Sequence, residues 1–148
     1  MTPKIIYMTN IDRRYFMMRR ALDELIADGE MSASSQVVKT EDSSVWSASW
    51  EEKLRGSALV MIRFMGNTIR TKFWTACMHF LSREGIPYYM DAAGSAEEEC
   101  VERVAAKDIE AMKAYSFYGG LTNYKNLWLY ARSLFDKGAP YAEPPSPI

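Results

Sequence analysis

A continuous apolar run at residues 58–62, Ala-Leu-Val-Met-Ile, constrains the fold of this chain more than any other stretch. The run lacks the apolar–polar alternation of a strand with one wet face, so it predicts a strand covered on both faces of a parallel sheet. Gly66 and Asn67 then end the strand, and apolar residues recur at helical spacing from Ile69 to Phe80. That spacing predicts a helix with one apolar face, which Thr68 can cap.

Strand and helix patterns alternate along the rest of the chain. Further strands are predicted at residues 4–8, 36–40 and 86–90, and further helices at 15–26, 49–54, 96–112 and 123–136. This alternation predicts an α/β fold with an open parallel sheet of about four strands and helices on both faces. The strand order is predicted to be 2-1-3-4, with the most apolar strands, 4–8 and 58–64, at the centre. The expected architecture is flavodoxin-like.

The composition is that of one ordinary globular domain. The chain has 148 residues, of which 48% are apolar and 25% charged, and a formal net charge of −1 gives no nucleic-acid footprint. Apolar runs fall short of the ~20 residues of a membrane span, and the N-terminus lacks a signal-peptide core, so a cytoplasmic location is expected. Cys77 and Cys100 fit reduced thiols. The domain is predicted to cover residues 1–138, with residues 139–148 a proline-rich linker toward a following domain.

Polar residues at the predicted strand ends form the first candidate site, because ligands of open α/β sheets bind beyond the carboxyl ends of the strands. The candidates are Asn10, Asp12, Arg63, Gly66, Asn67 and Asp91. Arg63 is the strongest of them, since a cation within an apolar run must be paired or must bind an anion. Asp12 and Asp91 are its expected acidic partners, with backbone carbonyls as an alternative. The other polar residues have an alternative explanation as caps and turns.

The usual signatures of catalytic and cofactor sites are missing. No Gly-x-Gly-x-x-Gly follows the first strand, and no Gly-x-x-x-x-Gly-Lys-Ser/Thr motif occurs anywhere. The single histidine, His79, lies two positions from Cys77 on one predicted helix, a spacing that points the two side chains in nearly opposite directions. His79 is therefore expected to be a surface or packing residue. The sequence predicts no catalytic residue, no metal ligand and no cofactor bound by this chain.

A second candidate segment, residues 115–127, combines aromatic residues, two glycines and two asparagines. Tyr118, Gly119, Gly120 and Asn123 are its candidate binding residues. A purely structural explanation is also available, because glycines permit a sharp bend and either Thr122 or Asn123 can cap the last helix.

Two motifs in these segments resemble a known family. Arg63 and Gly66 match a strand of the type Val-x-x-Arg-Leu-x-Gly-Gly, with Asn67 in place of the second glycine, and Trp74 fits the helix that follows. A later Tyr-x-x-x-Gly-Gly-x-x-Asn-x-x-Asn-Leu pattern is matched by Tyr115, Gly119, Gly120, Asn123, Asn126 and Leu127. With these motifs the chain resembles the N-terminal domain of the large subunit of cobaltochelatase, a family shared with the large subunit of magnesium chelatase.

The resemblance implies a part in ATP-dependent insertion of cobalt or magnesium into a tetrapyrrole, in cobalamin biosynthesis, without catalysis by this chain alone. The implied partners are the remaining domains of the large subunit, separate AAA+ subunits that use the ATP, and the tetrapyrrole substrate. The aromatic rings at Tyr115, Phe117 and Tyr118 would then cover a macrocycle or a neighbouring domain. Two alternatives remain open: a flavodoxin-like module for a small anionic ligand, and a protein-interaction domain.

Overall fold

The computed structural model describes residues 3–41, 44–65, 72–93 and 120–134. Their strands are β1 (Ile5–Thr9), β2 (Gln36–Lys39), β3 (Leu59–Met65) and β4 (Tyr88–Ala93). Their helices are α1 (Asp12–Ala27), α2 (Ala48–Leu54), α3 (Lys72–Arg83) and α4 (Leu121–Ser133). The predicted helix at 96–112 and the predicted linker at 139–148 lie outside these residues.

The strands form one sheet in the order β2-β1-β3-β4. All three pairings, β1 with β2, β1 with β3, and β3 with β4, are parallel. The two most apolar strands, β1 and β3, thus occupy the centre, and every residue from Leu59 to Ile62 is fully buried. The predicted α/β class and open parallel sheet are confirmed, and the central pair is the one predicted. The flavodoxin-like description of the fold remains a prediction.

Helices cover the sheet on both faces. Side chains at alternate positions of β1 and β3, such as Tyr7 and Met61, pack in one core with α1 and α4. The intervening positions, such as Met8 and Ile62, pack in a second core with α2 and α3. Because neighbouring residues of these strands enter two different cores, the sequence of the strands shows no polar alternation.

The helices α1 and α4 lie side by side and run in the same direction. Near their starts, the guanidinium of Arg14 lies 5.8 Å from the ring centroid of Tyr124. Near their ends, Arg132 Nη1 lies 2.8 Å from Glu30 Oε2 and also donates to the Glu30 carbonyl oxygen. Since α1 begins just beyond the carboxyl end of β1, α4 also begins at the carboxyl edge of the sheet.

Most predicted element boundaries differ from the structure by one to three residues, and two of these differences are informative. The strand expected at 86–90 begins at Tyr88 and extends to Ala93, because Ile86 donates its N–H to Leu81 and so belongs to the turn that ends α3. The last helix begins at Leu121 rather than Asn123, and its N-cap is Gly120. The prediction that Thr122 or Asn123 caps this helix is therefore wrong. Both residues lie inside its first turn, where their side chains are too late to cap it.

Candidate functional site

Four residues form a row across the carboxyl edge of the sheet. Thr9 in β1 is the Cα partner of Lys39 in β2 and of Arg63 in β3. Arg63 is in turn the partner of Asp91 in β4. Thr9, Lys39 and Arg63 are at positions whose side chains emerge on the face covered by α1 and α4, since side chains alternate along a strand. The row joins one residue from each strand of the sheet at the edge where α1 and α4 begin.

The N-termini of α1 and α4 add positive potential at this edge. Neither N-cap residue, Ile11 for α1 and Gly120 for α4, makes a side-chain capping hydrogen bond. Thr9, which is fully buried, accepts a hydrogen bond of 3.1 Å from the N–H of Ile11 through its Oγ1. The first N–H groups of a helix have no partner within the helix and favour negative charge near them.

Lys39 joins the edge through two ion pairs. Its Nζ lies 2.6 Å from Asp12 Oδ1 and 3.0 Å from Glu41 Oε1. The hydrogen bond to Asp12, followed by the one to Glu41, raises the pKa of Lys39 above its ordinary value, so the ammonium stays charged. Lys39 was missed among the predicted site residues. Its place as the last residue of a short strand, level with Thr9, was the available signal.

Two acidic partners were expected for Arg63. The pairing with Asp12 is wrong, and the pairing with Asp91 stays a prediction. The carboxylate of Asp12 binds Lys39 rather than Arg63, because the β1–β2 pairing brings Lys39 directly beside the start of α1. Asp91 is the Cα partner of Arg63 on the neighbouring strand, which leaves the predicted ion pair between them open. Arg63 itself is half-buried at the carboxyl end of the central strand.

Some of the remaining predicted site residues also lie at the carboxyl edge of the sheet. Asn10 follows β1 directly and is half-buried. Gly120 caps α4, and Asn123 is buried in its first turn, one residue before the Tyr124 ring that lies beside Arg14. Asn10, Asp12, Arg63, Gly120 and Asn123 therefore share the carboxyl edge of the sheet, although more than 50 residues separate the two halves of the set. The other predicted residues, Gly66, Asn67, Tyr118 and Gly119, lie outside the described part of the chain.

The groups at this edge are suited to binding rather than to bond making. No three His, Cys, Asp or Glu side chains are grouped so as to hold a metal ion anywhere within residues 3–41, 44–65, 72–93 and 120–134. Burial raises the pKa of the Cys77 thiol to about 12, so it carries no thiolate at neutral pH. His79 is exposed on α3, as predicted. Arg63, the ion-paired Lys39 and two helix N-termini lie at this edge together with the carboxylates of Asp12 and Glu41, and they offer hydrogen-bond donors to a polar ligand.

Within the described ranges, no helix combines the length and the apolar character that crossing a lipid bilayer requires. No family model and no curated protein matches the sequence.

A solved structure is similar to this chain: the catalytic subunit of cobaltochelatase from Mycobacterium tuberculosis. The TM-score is 0.66 and the sequence identity is 16%. The alignment covers 99% of this chain and 12% of the other, so this chain spans a small part of that subunit's length. The two proteins therefore share a fold over nearly the whole of this chain.

Proposed function

We propose that this chain is a domain of the cobaltochelatase type of large subunit, equivalent to its N-terminal domain. It helps to hold the tetrapyrrole during ATP-dependent insertion of cobalt or magnesium in cobalamin biosynthesis, and it is not catalytic alone. The observation that carries the proposal is the fold shared with a cobaltochelatase catalytic subunit over 99% of the chain. The glycine–asparagine motif at residues 115–127 supports it independently. ATP is used by separate AAA+ subunits, and the metal enters a site formed with the remaining domains.

The carboxyl edge of the sheet is the proposed contact with the tetrapyrrole. Biosynthetic tetrapyrroles are flat apolar rings with carboxylates at their periphery. The guanidinium of Arg63 and the N–H groups at the starts of α1 and α4 have the charge and the hydrogen-bonding capacity to bind such carboxylates. The proposed contact residues are Asn10, Asp12, Arg63, Gly66, Asn67, Asp91, Tyr118, Gly119, Gly120 and Asn123.

An absorbance titration with a carboxylated free-base porphyrin tests this proposal on the purified chain. A saturable shift of the porphyrin band is expected, without insertion of added cobalt or magnesium. Arg63→Met should weaken binding by about tenfold, the value of one charge-assisted hydrogen bond. Arg55→Met is the matched control, because Arg55 follows α2 near the opposite edge, where its guanidinium pairs with Glu84 at 3.1 Å.

Two results would contradict the proposal. The absence of any porphyrin binding, or equal weakening by Arg63→Met and Arg55→Met, would remove the tetrapyrrole contact from this edge. Steady metal insertion by the purified chain without other subunits would contradict its non-catalytic role.

A module for a small anionic ligand is the second candidate function, and the guanidinium of Arg63 beside the N-termini of α1 and α4 favours it. Flavin mononucleotide is a suitable probe, because it combines a phosphate with a flat ring, and quenching of its fluorescence reports binding. Saturable binding of the flavin together with no porphyrin binding would favour this candidate. Binding of neither, with capture of the remaining large-subunit domains in a pulldown, would favour an interaction domain.

A further inference from the structure

The edge strand β2 presents hydrogen-bonding groups away from the sheet. Among the described residues it pairs with β1 alone, so its other side is an outer edge of the described sheet. Thr40 donates its N–H to the carbonyl oxygen of Thr9 at 2.9 Å, which points the backbone of Thr40 toward β1. Because backbone groups alternate along a strand, the N–H and C=O of Val37 and Lys39 point outward. No strand of the described residues bonds to these groups, which are of the kind that accepts another strand.

A groove of about 410 Å³ runs between this outer edge and α1. Leu22 and Ile26 of α1 and Val37 of β2 contribute apolar side chains to a lining that is more polar than apolar. On the same helix, Phe16 is 64% exposed, which is unusual for a side chain of its size. Helix α1 therefore borders an open groove and also carries an exposed aromatic side chain.

Two charged side chains of α1 also line the groove. Arg19 and Asp23 lie one helical turn apart. Arg19 Nη1 donates to the hydroxyl of Tyr15 at 2.9 Å. Within the described ranges, neither Arg19 nor Asp23 forms an ion pair. A positive group followed one turn later by a negative group is complementary to the same helix placed antiparallel to it.

We propose that this face binds a second copy of the chain, through antiparallel pairing of β2 with β2 of the partner copy. A twofold axis perpendicular to the sheet generates this arrangement and keeps α1 of both copies on the same face. The two α1 helices then lie antiparallel, with Arg19 of each copy facing Asp23 of the other and Phe16 entering the other copy's groove. The self-complementary charges favour a second copy over an unrelated partner, since a twofold interface must match itself. This inference does not depend on the proposed function.

Strand pairing is tested by Val37→Pro, with molar mass measured by light scattering over a range of concentrations. The unmodified chain is expected to change from 16.9 kDa toward twice that mass as its concentration rises. Proline at position 37 removes an outward N–H and none that bonds to β1, so pairing with β1 remains and circular dichroism should be unchanged. The dimer dissociation constant should rise by about tenfold or more, since two hydrogen bonds are lost per dimer. Val45→Pro, at a valine that is 77% exposed before α2, should leave it unchanged.

Charge exchange tests the helix contact and does not rely on a proline variant. Arg19→Asp should weaken the dimer by about three- to tenfold, because two exposed ion pairs are lost and like charges replace them. The double variant Arg19→Asp with Asp23→Arg should restore the dimer. A chain that stays monomeric at all concentrations would overturn the proposal. So would a dimer whose dissociation constant is unaffected by both Val37→Pro and Arg19→Asp, because it would use another surface.

Discussion

The indole Nε1 of Trp128 donates a buried hydrogen bond of 3.0 Å to the backbone carbonyl oxygen of Met18, which lies 110 residues earlier in the chain. Both side chains are fully buried in the core between the sheet, α1 and α4. Packing alone would allow α4 to slide along α1, whereas a directed hydrogen bond favours one register. The bond therefore helps to place the start of α4, with Gly120 and Asn123, at the carboxyl edge of the sheet.

Replacing Trp128 by phenylalanine should lower the free energy of unfolding by about 1–3 kcal/mol, through loss of one hydrogen bond and of part of a buried ring. Urea unfolding followed by circular dichroism measures the change. Trp50→Phe is the control, since Trp50 is half-buried on α2 and its variant should cost less. Equal losses for the two variants would show that the bond to Met18 contributes nothing.

The backbone of Gly120 should not accept a side chain. Its φ of 111° and ψ of 150° lie in a region that only glycine adopts readily. A Cβ there would meet no atom of the described residues within 4 Å, so the expected cost of Gly120→Ala is conformational. The variant should lose about 2–3 kcal/mol of stability in urea unfolding.

Gly29→Ala is the matched control for this prediction. Gly29 also has open space around a Cβ, but its φ of 74° lies in the left-handed helical region, where alanine costs only about 1 kcal/mol. If the two variants lose equal stability, the conformation of Gly120 is not the one described.

Cys77 should make the protein less stable in alkali. Burial raises the pKa of its thiol from 9.0 to about 12 in the folded chain, while the unfolded chain keeps an ordinary value. Above the unfolded pKa the unfolded chain releases a proton that the folded chain retains. The free energy of unfolding therefore falls by up to about 1.4 kcal/mol for each pH unit between these two values.

Urea unfolding at pH values from about 8 to 10 measures this slope, because the range crosses the ordinary thiol pKa. Cys77→Ala should show a shallower decline, and the difference between the two proteins isolates the thiol from other groups that titrate in alkali. Parallel declines in both proteins would mean that the Cys77 thiol is accessible to water.

The pair between Glu24 and Lys125 should stabilise the protein only where the carboxylate is charged. Lys125 Nζ lies 2.7 Å from Glu24 Oε1, and this hydrogen bond holds the pKa of Glu24 below its ordinary value. The stabilisation is present above the ordinary carboxyl pKa and is lost as the pH falls through the lowered one. Lys125→Met should therefore lower the melting temperature at neutral pH, and this effect should shrink as the pH falls below the ordinary carboxyl value. Lys72→Met, at an exposed lysine of α3 that pairs with no carboxylate among the described residues, should have no pH-dependent effect.

The parallel sheet and its central strands were predictable from the sequence because burial on both faces leaves a direct compositional trace. Residues 58–62 contain no polar residue, and Leu59 to Ile62 are fully buried between two cores. The same reasoning applies to residues 4–8. A strand that is apolar at every position is expected to have a strand on each side and helices on both faces. The positions of β1 and β3 in the observed strand order agree with this expectation.

The ion-pair partners of charged side chains were less predictable, because they depend on the register between paired strands and not on composition. The sequence offered Asp12 as a partner for Arg63, but the pairing of β1 with β2 places Lys39 level with Thr9 and within 2.6 Å of the Asp12 carboxylate. A shift of one residue in that register would have moved Lys39 to the other face of the sheet. Local sequence contains no information on that choice.

The sequence by itself determined the α/β class, the central strands and the residues that follow them, since these depend on local periodicity and burial. Only the tertiary structure decided that Gly120 and Asn123 share an edge with Asn10, Asp12 and Arg63. That meeting depends on α4 lying parallel to α1 in one register, which contacts such as Trp128 with Met18 and Arg132 with Glu30 establish over a separation of more than 100 residues. Contacts between segments so far apart leave no periodic pattern in the sequence, because the two residues of each contact lie in different segments of the chain.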